Sequence, residues 1–187
     1  MSPILGIYAS QISGHLVTNN YSSIQTVTVG SGGASSITFS SIPSTYTHLQ
    51  IRGIGRGTTS FSAGLSLYMQ FNGDTGSNYV AHQLYGDGST AGAQASTSRT
   101  NTGAFQVFAD SSAGSNVFGD VVADILDYSN TNKNKTVRVL GGFDNNGNGR
   151  VSLNSSLWLN TNAISSIVIT TDGNLVQYSS FALYGVK

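Results

Sequence analysis

An all-β fold, an antiparallel β-sandwich of jelly-roll-like design, is what this sequence predicts, and three observations predict it. Short runs of residues alternate between apolar and polar at period two, as half-buried strands do. Clusters of Gly, Asn, Asp and Ser punctuate those runs and supply turns. Helix-favouring surface residues are scarce: all eight acids are Asp, with no Glu, and charged residues make up 9% of the chain against a usual share of roughly 25%. Ser, Thr, Asn and Gly stand where Glu and Lys would stand on a helical protein.

The elements follow in order. Ser2–Val17 is apolar but interrupted by Gly6 and Gly14, and it fits neither period cleanly, so it reads as an extended or partly helical arm. Gln25, Val27 and Val29 alternate with Ile24, Thr26 and Thr28. After Gly30-Ser31-Gly32-Gly33, Ile37 and Phe39 alternate with Ser36 and Thr38, which predicts a hairpin. Leu49 and Ile51 face inward, with His48, Gln50 and Arg52 outward. Leu65, Leu67, Met69 and Phe71 form the cleanest alternating run, closed by a turn at Asn72-Gly73-Asp74. A strand over Tyr79–Tyr85 precedes a Gly/Ala/Ser/Thr-rich stretch, Gly86–Thr102, read as an exposed loop. Strands are expected over Gly103–Phe108 and Val117–Leu126, and a hairpin joins Thr136–Phe143 to Arg150–Trp158. Ile167–Thr170 and Phe181–Tyr184, around Asp172-Gly173-Asn174, read as a closing hairpin. The total is roughly ten strands, organised as an arm over residues 1–21 and one sandwich domain over 22–187.

A chain of 187 residues suffices for one domain that buries about 70% of its unfolded surface. Its net charge is zero. That argues against nucleic acid as a partner, because phosphate binding needs a basic field, and a neutral surface resists association poorly. The absence of Cys removes disulfide and thiol chemistry. No apolar run approaches the roughly 20 residues of a membrane span, and the N-terminus lacks the basic and apolar regions of a signal peptide.

Chemistry-bearing motifs are few. Asp144-Asn145-Asn146-Gly147-Asn148-Gly149 imitates the first half of a calcium loop, but Ser155 stands where the closing Glu is required. Asp144 is left as a weak metal candidate; no cofactor is expected. Asp120 and Asp124 share a strand face about 13 Å apart, beyond the roughly 5–9.5 Å of a catalytic carboxylate pair; the expected role of Asp124 is a hydrogen bond to a turn backbone or to an Arg such as Arg138. His15, His48 and His82 lack metal-ligand spacing, although His48 and His82 could meet across a sheet. No enzyme activity is expected. Tyr68, Tyr79 and Trp158 are the candidates for stacking on a glycan.

The phrases ILGIYASQISGHL, VTVGSGGASSITFSSIPSTYTHLQIRGIGR, FNGDTGSNY, LYGDG, DILDYSNTNKNKT and SSFALYGVK together resemble small structural proteins of tailed bacteriophages. The resemblance runs over nearly the whole chain and implies a non-enzymatic virion component with a β-sandwich fold and no catalytic residues. Within that group the chain lacks the heptads and repeats usual in long fibres, which favours a decoration or cement protein on the capsid exterior. The implied partners are further copies of the chain, as a trimer, and the major capsid protein or another virion protein. The arm residues Leu5, Ile7, Tyr8, Ile12 and Leu16 are expected to dock on the shell or on a neighbouring subunit. The alternative is a head- or tail-fibre domain that recognises host surface glycan.

Overall fold

The computed structural model describes residues 20–61 and 63–187; the arm positions Leu5, Ile7, Tyr8, Ile12 and Leu16 lie outside the described residues. The described residues form twelve strands: β1 (Tyr21–Thr28), β2 (Ala34–Phe39), β3 (His48–Gly55), β4 (Leu65–Phe71), β5 (Tyr79–Gly86), β6 (Ala91–Arg99), β7 (Thr102–Phe108), β8 (Gly119–Leu126), β9 (Lys135–Asn145), β10 (Asn148–Trp158), β11 (Ile167–Leu175) and β12 (Ser180–Val186). They form two antiparallel sheets, a β-sandwich. The large sheet runs β1-β12-β3-β8-β9-β10-β5-β6 and the small one β2-β11-β4-β7. No helix occurs among the described residues.

The alternation seen in the sequence builds the core directly. Ile37 and Phe39 from β2, Leu65, Leu67, Met69 and Phe71 from β4, and Ile167 and Ile169 from β11 line the small sheet. Leu49, Ile51, Val121, Ala123, Ile125, Val137, Val139, Phe181 and Leu183 line the large sheet opposite them. Each fully buried aliphatic or aromatic side chain contributes roughly 1.5–3 kcal/mol.

Three sequence expectations are corrected. Neither β1 with β2 nor β11 with β12 is a hairpin: in each pair the partners belong to different sheets. Strand β11 pairs with β2 and β4, and β12 with β1 and β3. The connecting turns are corners that carry the chain over the end of the sandwich, and a corner needs the same Gly and Asn residues as a hairpin. The stretch Gly86–Thr102 is also no loop. Its residues 91–99 form β6, an edge strand on β5, and their small polar character reflects exposure on both faces. The hairpin of β9 and β10 is as expected, with an unbroken register from Asn145↔Asn148 to Lys135↔Trp158.

Strand β7 ends the small sheet, so among the described residues one side of its backbone has no neighbouring strand. Side chains of the large sheet take the neighbour's place. Ser156 Oγ contacts both the N–H and the carbonyl of Gly103, and the Phe105 N–H donates to Asn154 Oδ1 (3.2 Å). The Phe105 carbonyl accepts from Ser152 Oγ and Gln83 Nε2, each at 3.0 Å. Ser152, Asn154 and Ser156 recur at period two along β10 and are 1–3% exposed. They thus form a side-chain ladder that satisfies backbone groups which cannot be left unpaired in a core. Asn154→Ala should therefore cost about 1–3 kcal/mol, measured as a shift of the urea midpoint with unchanged slope.

Trp158 and Tyr79, expected on the surface as glycan-stacking rings, are fully buried. Their rings stack at 6.2 Å, and Phe71 meets Trp158 edge-on at 5.5 Å. The polar tips of these rings explain their placement. Trp158 Nε1 donates to Asp74 Oδ2 (2.7 Å), while the Tyr79 hydroxyl donates to the Asp74 carbonyl and accepts from the Phe71 N–H. Burial pushes the Tyr79 hydroxyl up to about 12. The indole N–H, with help from Asn78 and the Gly76 N–H, holds the Asp74 carboxyl below its ordinary 3.8. A carboxyl depressed by folding stabilises the protein fully above the unfolded value and loses that contribution as pH falls through the folded one. Thermal stability should therefore drop below about pH 4, and Asp74→Asn should flatten that drop. Asp74→Ala, which leaves the indole N–H unpaired, should cost about 1–3 kcal/mol at neutral pH.

Candidate functional site

The outward face of the large sheet breaks the usual rule of apolar inside and polar outside. Along β10 the polar Ser152, Asn154 and Ser156 point into the sandwich, so Val151 and Leu153 must point out. They are 59% and 49% exposed. The register sets Leu153 opposite Leu140 of β9 and Leu84 of β5, and Leu140 opposite Val122 of β8. Val122, Leu140, Leu153 and Leu84 thereby form one straight apolar strip across four adjacent strands. Leu140 and Leu84 are 55% and 58% exposed. In the next outward row Val151 and Ile54 widen the strip on one flank.

At the β3 end the strip meets a stacked arginine. The Arg52 guanidinium lies 5.7 Å from the ring centres of both Tyr21 and Tyr184, and its Nε donates to Gln50 Oε1 at 2.8 Å. Gln50 Nε2 in turn donates to Asp124 Oδ1 at 2.8 Å. A tyrosine-clamped Arg beside exposed aliphatic residues has the composition of a protein contact surface.

A second feature lies at one end of the sandwich. Here the loops after β3, β5, β7 and β9 surround a cavity of about 290 Å³. Two polar clamps hold its walls. Arg56 donates to the carbonyls of Ser111, Ala113, Gly114 and Val117, tying the loop after β7 to β3. Asp110 accepts from the N–H groups of Phe61, Ser112 and Ala113 and from the Ser112 hydroxyl. Burial pushes the Asp110 carboxyl up, but those hydrogen bonds outweigh it and hold the group below its ordinary value. Into this frame projects Arg150, its guanidinium carbon 3.6 Å from the centre of the Tyr85 ring.

The other residues singled out in the sequence are dispersed. Asp120 and Asp124 share the outward face of β8; Asp124 is bound by Gln50 rather than by Arg138, its register partner. His48 and His82 do not meet, because β8, β9 and β10 lie between their strands. His48 Nδ1 instead accepts from the Asp127 N–H, and Lys133 pairs with the Asp127 carboxylate at 2.6 Å. Asp144 is exposed at the end of β9, and among the described residues no group of three or more His, Cys, Asp or Glu could hold a metal ion. Tyr68 is half-buried and donates its hydroxyl to Asp172. The sequence reading missed the apolar strip and the Arg150 cavity. Alternation exposes two faces of a strand but does not say which one turns inward.

The chain matches no protein-family model and no curated protein.

Proposed function

We propose that this protein is a virion structural component that works by contact, a decoration or cement subunit on the exterior of a tailed-phage capsid. The observation that carries the reading is the apolar strip on the outward face of the large sheet. The resemblance of the chain's phrases to small phage structural proteins supports it, as do the neutral charge and the low share of ionised residues.

Strand order supports the finer assignment of a jelly roll. Set β5–β6 and β9–β10 aside as two inserted hairpins, and β1-β12-β3-β8 faces β2-β11-β4-β7. That is the order of two interleaved four-stranded sheets built from nested Greek keys. The hairpins extend the large sheet, and they carry Leu84, Leu140, Leu153 and Val151. The added strands therefore supply most of the contact strip.

In this reading the strip joins copies of the chain, as a trimer, while Leu5, Ile7, Tyr8, Ile12 and Leu16 of the arm dock on the shell. Burying the exposed half of each strip residue contributes about 1 kcal/mol, and repetition over many copies multiplies small terms into a stable coat. Leu153→Asp should leave the melting temperature of the dilute monomer unchanged and weaken self-association about a hundredfold, close to 2.8 kcal/mol, by sedimentation equilibrium. Deletion of residues 1–17 should leave a folded domain that no longer decorates capsids. Quantitative mass spectrometry of purified particles should count the chain in hundreds. A count in tens or fewer would instead favour the fibre-tip alternative.

A further inference from the structure

We propose that the cavity at the mouth of the sandwich binds a neutral saccharide residue, held between Arg150 and Asp87. This goes beyond shell binding and stands or falls independently of it.

The first argument is an arginine whose donors are unspent. Arg150 packs flat on Tyr85, and the Tyr85 ring in turn lies over Gly92 of β6, where any side chain would collide with it. The stack fixes the guanidinium in place. Its Nε is shut off from solvent with no acceptor among the described residues, so a ligand in the cavity reaches the side chain at its terminal NH₂ groups. A guanidinium positioned in this way in a cleft suits a pair of acceptor oxygens.

The second argument is the set of groups around it. The cavity wall includes Phe61, Asp87, Phe143, Asn145 and Asn148 beside Arg150. Asp87 spends only Oδ1 on its own turn, accepting from the Ser89 N–H and hydroxyl and the Thr90 N–H. Its Oδ2 takes no donor from the described residues. Those turn bonds, and the nearby Arg150, hold the Asp87 carboxyl below its ordinary value, so it is an acceptor at neutral pH. Asn145 spends its Oδ1 on the Gly114 N–H, and its NH₂ group meets no acceptor among the described residues. Donor, acceptor and amide are thus presented together, and vicinal hydroxyls both give and accept hydrogen bonds.

Aromatic surface completes the match. Phe61 is 43% exposed, and the half-buried Phe143 ring closes the other wall. Phe143 reaches that position because Gly64 has a positive φ of 83° and no Cβ; an added Cβ would stand 2.4 Å from the ring. Rings beside hydroxyl-binding groups suit the C–H face of a sugar.

Charge selects against the competing ligand. Asp87 and Asp110 line the cavity with Arg150, Arg56 stands behind its wall, and Asp144 borders the adjoining groove, three carboxylates to two guanidinium groups. A carboxylate or phosphate gains no attraction from such a field, whereas a neutral polyol needs none. A volume of about 290 Å³ sits at the lower end of small-molecule sites, near 300 Å³. One monosaccharide unit, the terminal residue of a longer glycan, fits that limit.

The test is an NMR titration of the ¹⁵N-labelled full chain with galactose, glucose, mannose and N-acetylglucosamine, and separately with glucuronate and inorganic phosphate. At least one neutral sugar should shift Arg150 Nε and the Asn148 amide with a millimolar dissociation constant. Arg150→Lys and Asp87→Asn should each weaken that binding at least tenfold, with melting temperatures showing both variants folded. No shift with any neutral sugar overturns the proposal. So does undiminished binding in either variant, or tighter binding of glucuronate or phosphate. Sedimentation and particle copy number report on the structural reading and are unaffected by either result.

Discussion

The arrangement rests on how the edge of the small sheet is finished. Strand β7 lies under the wide sheet with one row of backbone groups and no strand to pair with. Water cannot reach Gly103, a buried position, so partners must come from side chains. Strand β10 provides them through Ser152, Asn154 and Ser156, with Gln83 of β5 alongside. This converts a free edge into a closed one without barrel formation, and it removes an otherwise open site for strand addition. It also dictates the parity of β10. With the polar set turned inward, Val151 and Leu153 must face out, because a strand has only two faces.

That parity separates a constraint from a choice. The inward polar ladder is required by β7, but nothing inside the sandwich requires aliphatic residues on the outward side. Threonine or lysine at residues 151 and 153 would satisfy the same ladder. Leu140 and Leu84 stand opposite Leu153 on strands that carry no equivalent ladder of three, and they too are aliphatic and about half exposed. A row that is apolar over four strands, without an internal cause, points to an external one.

The sequence made the sandwich legible, and physics explains where it stopped. Period-two runs such as Leu65–Phe71 announce strands because each buried methyl group is repeated at fixed spacing. Turns at Asn72-Gly73 and Asn146-Gly147 are legible because positive φ falls on those residues. Topology was not legible: Gly30–Gly33 and Asp172–Asn174 look the same whether the chain returns within a sheet or crosses to the other. Strand β6 was missed because exposure on both faces erases alternation. Trp158 was misplaced because the group that takes its indole N–H, Asp74, is 84 residues away, and Tyr79 because its hydroxyl pairs with the backbone of Asp74 and Phe71, which no side-chain pattern announces. The arginine cavity escaped for the same reason: Tyr85, Asp87 and Phe61 reach Arg150 only through long-range strand pairing.

The two surfaces are also physically linked. Val151 lies on the outward face beside the strip, while Arg150, its neighbour in sequence, points inward to the mouth. A shallow groove lined by Ile54, Asp120, Leu140, Arg150 and Val151 joins the two regions. A partner seated on the strip would therefore border the mouth without filling it, since consecutive strand residues serve opposite faces. The loops at the mouth are pinned by Arg56 and Asp110 through side-chain bonds to backbone groups. None of those bonds involves a residue of the strip, so the face and the mouth are supported by different sets of contacts.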